Sequence, residues 1–380
     1  MNETITKIPD ISVIIPTFNV EKYIDECLGS LKAQTFKNFE VICVDDGSTD
    51  GTVEHIKKYT ESDERFQLFE MEHCGLAGVM RNEGIQHASG EYLLFLDSDD
   101  FFEKDMLSHS LAKIREDKAD ICLFDARLYN DTTKKYKTID YIIQTDYIPD
   151  TVPFEGKSCP YIFNITTGCP WNKLISKKLI LENKLQFMAL PRSNDVYFIF
   201  MAMALASRIT ILQEVFVNYR QSPTSLQANN LKTPLNWYHA LTELKNKLCD
   251  LNIYEDVELS FRNLAFGVSI YNLCSLKSGE SFCKVYERIK QEILAEFNIA
   301  DFKEEECYSY NKQKYEIYLK MQQYSAQDYL FNELKEMKSW KGKAQRAEKE
   351  LEKIKHSTTF KTGKTVLAVP RKLKQILKNH

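Results

Sequence analysis

Several familiar signatures are missing from this chain, and each absence narrows its chemistry. No run of 18 or more apolar residues occurs, so the sequence offers no membrane-spanning helix. The nearest approach, Val196 to Ala206, is far too short and reads as a core helix. The opening MNETITKIPD has no basic-then-apolar signal pattern. The 10 cysteines are scattered, without close pairs or histidines at zinc-site spacing, which predicts reduced, mostly buried thiols in a cytoplasmic protein. No G-x-G-x-x-G follows the first strand, so the dinucleotide fingerprint is absent. Gly363-Lys364-Thr365 looks like the end of a phosphate loop, but the earlier glycine would fall at Thr358 and no strand precedes it. There is no basic excess either: 50 Lys and Arg face 54 Asp and Glu, which argues against nucleic acid as a partner. Internal repeats are also lacking.

What is present suits a soluble protein of more than one domain. The 380 residues are 43% hydrophobic and 12% aromatic, enough for sizeable cores. Charge is uneven along the chain. Residues 351–380 hold 8 basic side chains against Glu352 alone, a net +7, which leaves −11 on the rest. An acidic body therefore ends in a basic tail.

The first half alternates strand and helix signals. Strands are expected at Ile11–Ile15, Phe39–Val44, Phe66–Phe69, Tyr92–Leu96 and Ile121–Phe124. Helices are expected between them, the first capped by Asn19 and the second by Thr49 or Asp50. Near-continuous apolar strands between amphipathic helices mean a doubly wound α/β domain with a mostly parallel sheet. Further helices are expected near Asn172 and at Asn194, and a last strand at Glu214–Tyr219. From Leu235 to about Glu350 only helical periodicity is found. The domains read as 1–225 (α/β), 226–355 (helical) and 356–380 (basic amphipathic tail). The Glu- and Lys-dense stretch 331–355 reads as a solvated helix with i,i+4 pairs rather than a coiled coil.

In an open parallel sheet, ligands bind at the carboxyl ends of the strands. There the first strand ends in Pro16-Thr17-Phe18-Asn19, the second in Asp45-Asp46, and the Tyr92 strand in Asp97-Ser98-Asp99-Asp100. Five carboxylates at one edge are costly without a shared cation, and Mg²⁺ or Mn²⁺ bridging to ligand phosphates is the expected counterion. A solvated turn, with Asp99 or Asp100 capping the next helix, is the bland alternative. Arg81 is a candidate phosphate-side cation. The loop Gly156 to Trp171 is a candidate acceptor wall, with Trp171 either stacked on a sugar or in the core. Tyr219 to Ser222 is a candidate flap over the diphosphate.

The segments ISVIIPTFN (11–19), VICVDDGSTDGT (41–52), AGVMRNEGIQHASGEYLLFLDSDD (77–100) and WNKLISKKLI (171–180) together resemble family 2 glycosyltransferases. The resemblance covers about residues 8–225. It implies the GT-A fold, a Rossmann-like sheet flanked by helices, here followed by a C-terminal helical domain. It also implies a nucleoside diphosphate sugar donor, commonly UDP-linked, and a glycan or lipid-linked saccharide acceptor. Thr17, Asp45 or Asp46 and Arg81 would lie on the nucleotide side, with Pro16, Phe18, Asn19 and Ser98 beside them. Asp97 would face ribose or sugar, and Asp99 would hold Mn²⁺ or Mg²⁺. A Glu-Asp pair in the family supplies the general base of an inverting displacement; the matching place here is Asn194-Asp195, a departure at the first position that bears on acceptor contacts. The His73-Cys74-Gly75-Leu76 loop departs too, lacking the commoner Asn two places before Gly75. A sugar nucleotidyltransferase and a catalytically silent scaffold are the competing readings. The tail, with Leu373, Ile376 and Leu377 among Arg371, Lys372 and Lys374, suits an anionic inner membrane face near a bacterial envelope pathway, or else packs on the acidic body. The oligomeric state, monomer or homodimer, stays open.

Overall fold

β-branched and aromatic runs between polar turns build the central sheet, as segments buried on both faces must. The computed structural model describes residues 8–221 and 233–357. β1 (Ile11–Thr17), β2 (Phe39–Asp45), β3 (Phe66–Glu70) and β4 (Tyr92–Phe95) pair in parallel in the order β3-β2-β1-β4. Val13, Ile14, Ile15, Ile42 and Cys43 are fully buried at its centre. α1 (Glu21–Lys32), α2 (Thr52–Ser62) and α3 (Ala77–His87) make the crossovers. α1 turns Ile24, Cys27, Leu28 and Leu31 inward, the i, i+3, i+4, i+7 stripe of a core-facing helix.

Beyond β4 the sheet becomes mixed. β5 (Phe101–Phe102), α4 (Met106–Glu116), β6 (Ile121–Asn130), β7 (Lys135–Thr138), β8 (Lys173–Ser176) and β9 (Ile209–Gln221) complete the order β3-β2-β1-β4-β8-β6-β9-β5, with β7 on β6. β8 runs antiparallel between β4 and β6, and β9 is parallel to β6. The helix expected near Asn172 is therefore a strand, followed by the short α5 (Lys177–Glu182). The reason is tertiary: the facing edges of β4 and β6 carry backbone groups that need partners, and Leu174 and Ile175, both fully buried, fill the gap. Asn172 closes the joint by donating its amide to the Phe124 carbonyl at 3.0 Å.

Two expected helix caps also differ. Asn19 has a left-handed φ of 49° and uses its side-chain oxygen to accept from Thr49 N–H at 2.8 Å, so α1 starts after Val20. Asp99 and Asp100 cap nothing, because β5 intervenes and Asp105 precedes α4.

The remaining α-helices are α6 (Asn194–Leu205) and, in the stretch whose periodicity is helical, α7 (Asn236–Asp250), α8 (Tyr254–Cys274), α9 (Gly279–Arg288), α10 (Leu294–Glu296), α11 (Lys312–Gln323) and α12 (Ala326–His356). A π-helical turn, Ile289–Ile293, joins α9 to α10. The chain forms two compact units, the first ending at Ile317 and the second beginning at Tyr318. In the first unit α7 packs on α6, and Ser260 of α8 accepts the Phe163 N–H at 2.9 Å while donating to Asn164 Oδ1 at 2.7 Å. The expected linker around Pro223 and nearly all of the basic tail lie outside the described residues. Among the described residues no helix is long and apolar enough to cross a membrane.

A close approach of α3 to the start of α6 brings the end of the parallel sheet up against that helix. Gly78 in the first turn of α3 touches the segment that leads into α6: a Cβ there would collide with the Met188 carbonyl and lie 3.1 Å from Asn194 Cβ. Gly78→Ala is expected to destabilise the protein by about 1–3 kcal/mol, the usual cost of overpacking. A thermal melt indistinguishable from the parent would remove this explanation of the contact.

Candidate active site

The site is assembled where β1, β2 and β4 end and α6 begins. Asp45, the last residue of β2, is 1% exposed. Its carboxylate accepts from Thr17 Oγ1 at 2.9 Å, Ser48 N–H at 2.7 Å and Ser48 Oγ at 2.6 Å. Asp46 accepts from the Cys74 and Gly75 N–H groups at 2.7 and 2.8 Å, with His73 Nδ1 3.1 Å from its Oδ2. Gly75 has φ +72°, a left-handed conformation that favours glycine at this turn.

These two carboxylates are held by hydroxyl and backbone donors. Their role in the fold is to pin the loops after β1 and β3. The Phe18 ring, 41% exposed, stacks on His73 with centroids 4.3 Å apart, so the same turns present an open aromatic face. Pro16 keeps β1 straight into this edge, opposite Val44.

The second acidic group is differently placed. Asp97 Oδ1 accepts from Arg81 Nη2 at 2.7 Å, and Arg81 Nη1 donates to Asn194 Oδ1 at 2.9 Å. The 6% exposed guanidinium, lying over the Phe187 ring, therefore ties the end of β4 to the start of α6. Burial, reinforced by Asp97 and opposed by Arg220, pushes the Asp99 carboxyl up to about 6. Ser98 between them is buried. Asp100 is fully buried, accepts from the Arg220 N–H at 2.7 Å, and leaves Oδ2 without a hydrogen-bond partner; burial first, then Asp99 and Asp97, raise it well above the carboxylate range.

Asp195 follows Asn194 in the first turn of α6, where backbone N–H groups favour an anion. Burial raises its carboxyl above the ordinary value and Arg81 opposes the rise. Such a group is a stronger base than a solvated aspartate once it is ionised.

Sequence reasoning missed one organising cation, Lys173, and gave another, Arg220, a different place. Lys173 is fully buried and donates to the carbonyls of Cys169 at 2.7 Å and Thr167 at 3.0 Å and to Asn172 Oδ1 at 2.6 Å. Burial brings its ammonium down to about 8. It shapes the turn 166–169, whose Gly168 lies against Val196 and Phe200 beside Asp195. The available signal was a lysine among otherwise apolar strand residues, a position where charge is costly without several acceptors.

Arg220, expected on a flap over the diphosphate, is instead 2% exposed. It pairs with Asp131 at 2.8 Å and Glu26 at 2.5 Å and donates through Nε to the Asp99 carbonyl at 2.6 Å. The rings of Tyr23, Tyr129 and Phe101 surround its guanidinium, with centroids 4.7, 5.1 and 5.2 Å away. Lys22 and Lys134 share Asp131 at 2.8 and 2.9 Å, and these bonds hold that carboxyl well below its ordinary range. Arg220 therefore braces the 97–100 turn from behind. Trp171 is 5% exposed and stacks on Tyr219 at 5.7 Å, so the sugar-facing role considered for it has no open indole face in this arrangement.

A divalent cation has oxygen donors to meet here. Among the described residues no three His, Cys, Asp or Glu side chains form a self-sufficient cage. The raised Asp99 carboxylate beside Asp97 fits the other arrangement, one or two carboxylates completed by substrate phosphates.

The curled, mostly parallel sheet flanked by helices is a GT-A-like architecture with an acidic site at its strand edge. Residues 12–182 match the family described as Glycosyl transferase family 2. Among its relatives is EpsH of Bacillus subtilis, assigned as a glycosyltransferase: 34% identical over 223 residues, covering 56% of this chain and 61% of EpsH. Glycosyltransferase GlyA of Streptococcus pneumoniae is 31% identical over 244 residues, 61% of this chain and 33% of GlyA. The poly(ribitol-phosphate) beta-N-acetylglucosaminyltransferase TarS of Staphylococcus aureus is 28% identical over 278 residues, 70% of this chain and 46% of TarS. The crystal structure of TarS 1–349 superposes with a TM-score of 0.60 at 26% identity, covering 75% of this chain and 80% of that one. The chain thus spans less than two thirds of the length of EpsH, GlyA and full-length TarS.

Proposed function

We propose that the protein transfers a hexose or N-acetylhexosamine from a UDP-linked donor to a hydroxyl of a saccharide acceptor, with inversion at the anomeric carbon. The observation that carries this reading is the Arg81 bridge, which joins Asp97 at the donor edge to Asn194, the neighbour of Asp195. Base and leaving group must flank the anomeric carbon in an in-line displacement, and this bridge couples the elements that would carry them.

In this reading the donor's base lies against Phe18 and its diphosphate at the Asp97–Asp99 edge. Arg81 orients Asp97 toward the ribose or sugar. Asp195 accepts the proton of the attacking acceptor hydroxyl, which must approach within about 2.6–3.2 Å. Mn²⁺ or Mg²⁺, when bound at Asp99, neutralises charge on the departing diphosphate. TarS, named for N-acetylglucosamine transfer to poly(ribitol phosphate), supports a surface-polymer or lipid-linked acceptor and a hexosamine donor.

Asp99→Asn is expected to leave a folded protein whose UDP affinity no longer responds to Mn²⁺. Calorimetric titration of UDP with and without the metal reads this directly, and an unchanged metal response would reject Asp99 as ligand. The reading as a whole is tested by incubating the protein with a panel of sugar nucleotides and Mn²⁺ and following the product by NMR. Release of UDP with an inverted anomeric centre supports it, whereas pyrophosphate release from a nucleoside triphosphate and a sugar phosphate would indicate a nucleotidyltransferase.

A further inference from the structure

Among the described residues α12 carries an exposed apolar face. Phe331, Leu334, Met337, Trp340 and Leu351 are 50–66% exposed. Among the described side chains of α12 the i,i+4 ion pair is Glu352 with His356, 3.4 Å apart. Lys320 of α11 reaches Glu333 and Glu336, and Lys343 lies over the Trp340 ring.

The spacing offers another role for these charges. Met337, Trp340, Ala344, Ala347 and Leu351 recur at intervals of three, four, three and four residues, the a and d positions of a coiled-coil seam. Glu336, Lys343 and Glu350 then occupy g positions, and Lys341 and Glu348 occupy e positions. In a parallel, in-register pair each g residue faces the e residue five places further along the other helix. Glu336 meets Lys341 and Lys343 meets Glu348, each contact occurring twice across the two-fold axis. An antiparallel pair that layers Trp340 on Ala344 would set Lys343 against Lys343 and Glu336 against Glu350, and one that layers Ala344 on Ala347 would keep the two Ala344 positions out of register, which cross-linking at that position distinguishes. An anionic bilayer is a poor occupant too, because Glu336, Glu348 and Glu350 border the face.

We propose that residues 336–351 of α12 pair with the same segment of a second copy of this chain as a short parallel coiled coil. Ala344 and Ala347 let the helices approach closely, while Met337, Trp340 and Leu351 supply the buried area. The seam is short, so the association is reversible and depends on protein concentration.

Sedimentation of the full chain should show its mass rising from 44.3 kDa toward twice that value as concentration increases. Lys343→Glu should weaken association by about tenfold, since both copies of one attractive pair become repulsive. Adding Glu348→Lys to that variant should restore it. Under mild oxidation Ala344→Cys should cross-link to its counterpart, as an a position allows, while Ser339→Cys on the outer face should not. The proposal is overturned by a monomer at every concentration, by association indifferent to Lys343→Glu, by failure of the charge swap to rescue, or by equal cross-linking from both cysteine variants.

Discussion

Asp195→Asn is expected to lower sugar transfer by about 10²–10⁴-fold, the usual contribution of a positioned general base, with donor binding retained. The substitution keeps the size of the side chain and removes the site that takes the acceptor proton. Because burial raises the Asp195 carboxyl, the parent enzyme should lose activity on the acid side at a pH above the ordinary aspartate value. Protonation occupies the base as pH falls through the raised pKa, so the rate rises with pH across that limb. In the variant the limb should disappear. Transfer within a few fold of the parent, or an acid limb that persists unchanged, would remove Asp195 from this role and move the search for the base to another carboxylate at the same edge.

Arg220→Met is expected to have the largest effect on stability. Removing one member of a buried ionic network commonly costs about 3–5 kcal/mol. The low end applies here, because Asp131 keeps Lys22 and Lys134 and because Glu26 is half exposed. At about 2–4 °C per kcal/mol for a unit of this size, the melting temperature should fall by about 6–12 °C. The Asp99 carbonyl loses its Nε–H donor, so metal-supported UDP binding should weaken as well. Arg220→Lys should recover part of the stability but not the loop geometry, because an ammonium cannot reproduce the guanidinium fork. A melting temperature within about 2 °C of the parent for Arg220→Met would show that the buried network contributes little.

The two substitutions separate chemistry from scaffolding. Asp195 is a polar group at a helix start with a raised carboxyl and few local bonds. Arg220 is saturated, surrounded by rings and remote from any proton transfer. Arg81 stands between these cases: it touches Asp97 directly and positions the neighbour of Asp195 through Asn194.

The sequence alone determined the parallel half of the sheet, the α6 helix at Asn194 and the helical character beyond residue 235. Those features rest on local causes: unbroken apolar runs such as Val41–Val44, a 3.6-residue stripe such as Ile24 to Leu31, and polar residues that must follow a strand as it leaves the core. Tertiary structure decided the rest. Lys173–Ser176 became a strand because two neighbouring strand edges needed hydrogen-bond partners, a demand that no local propensity encodes. Asp45 and Asp46 became loop anchors because Thr17, Cys74 and Gly75, 28 or 29 residues away, bring them donors. Arg220 became a buried brace for the same reason, its partners Glu26 and Asp131 lying 194 and 89 residues away. Charge in a sequence announces that compensation is required, and only the folded chain determines which groups supply it.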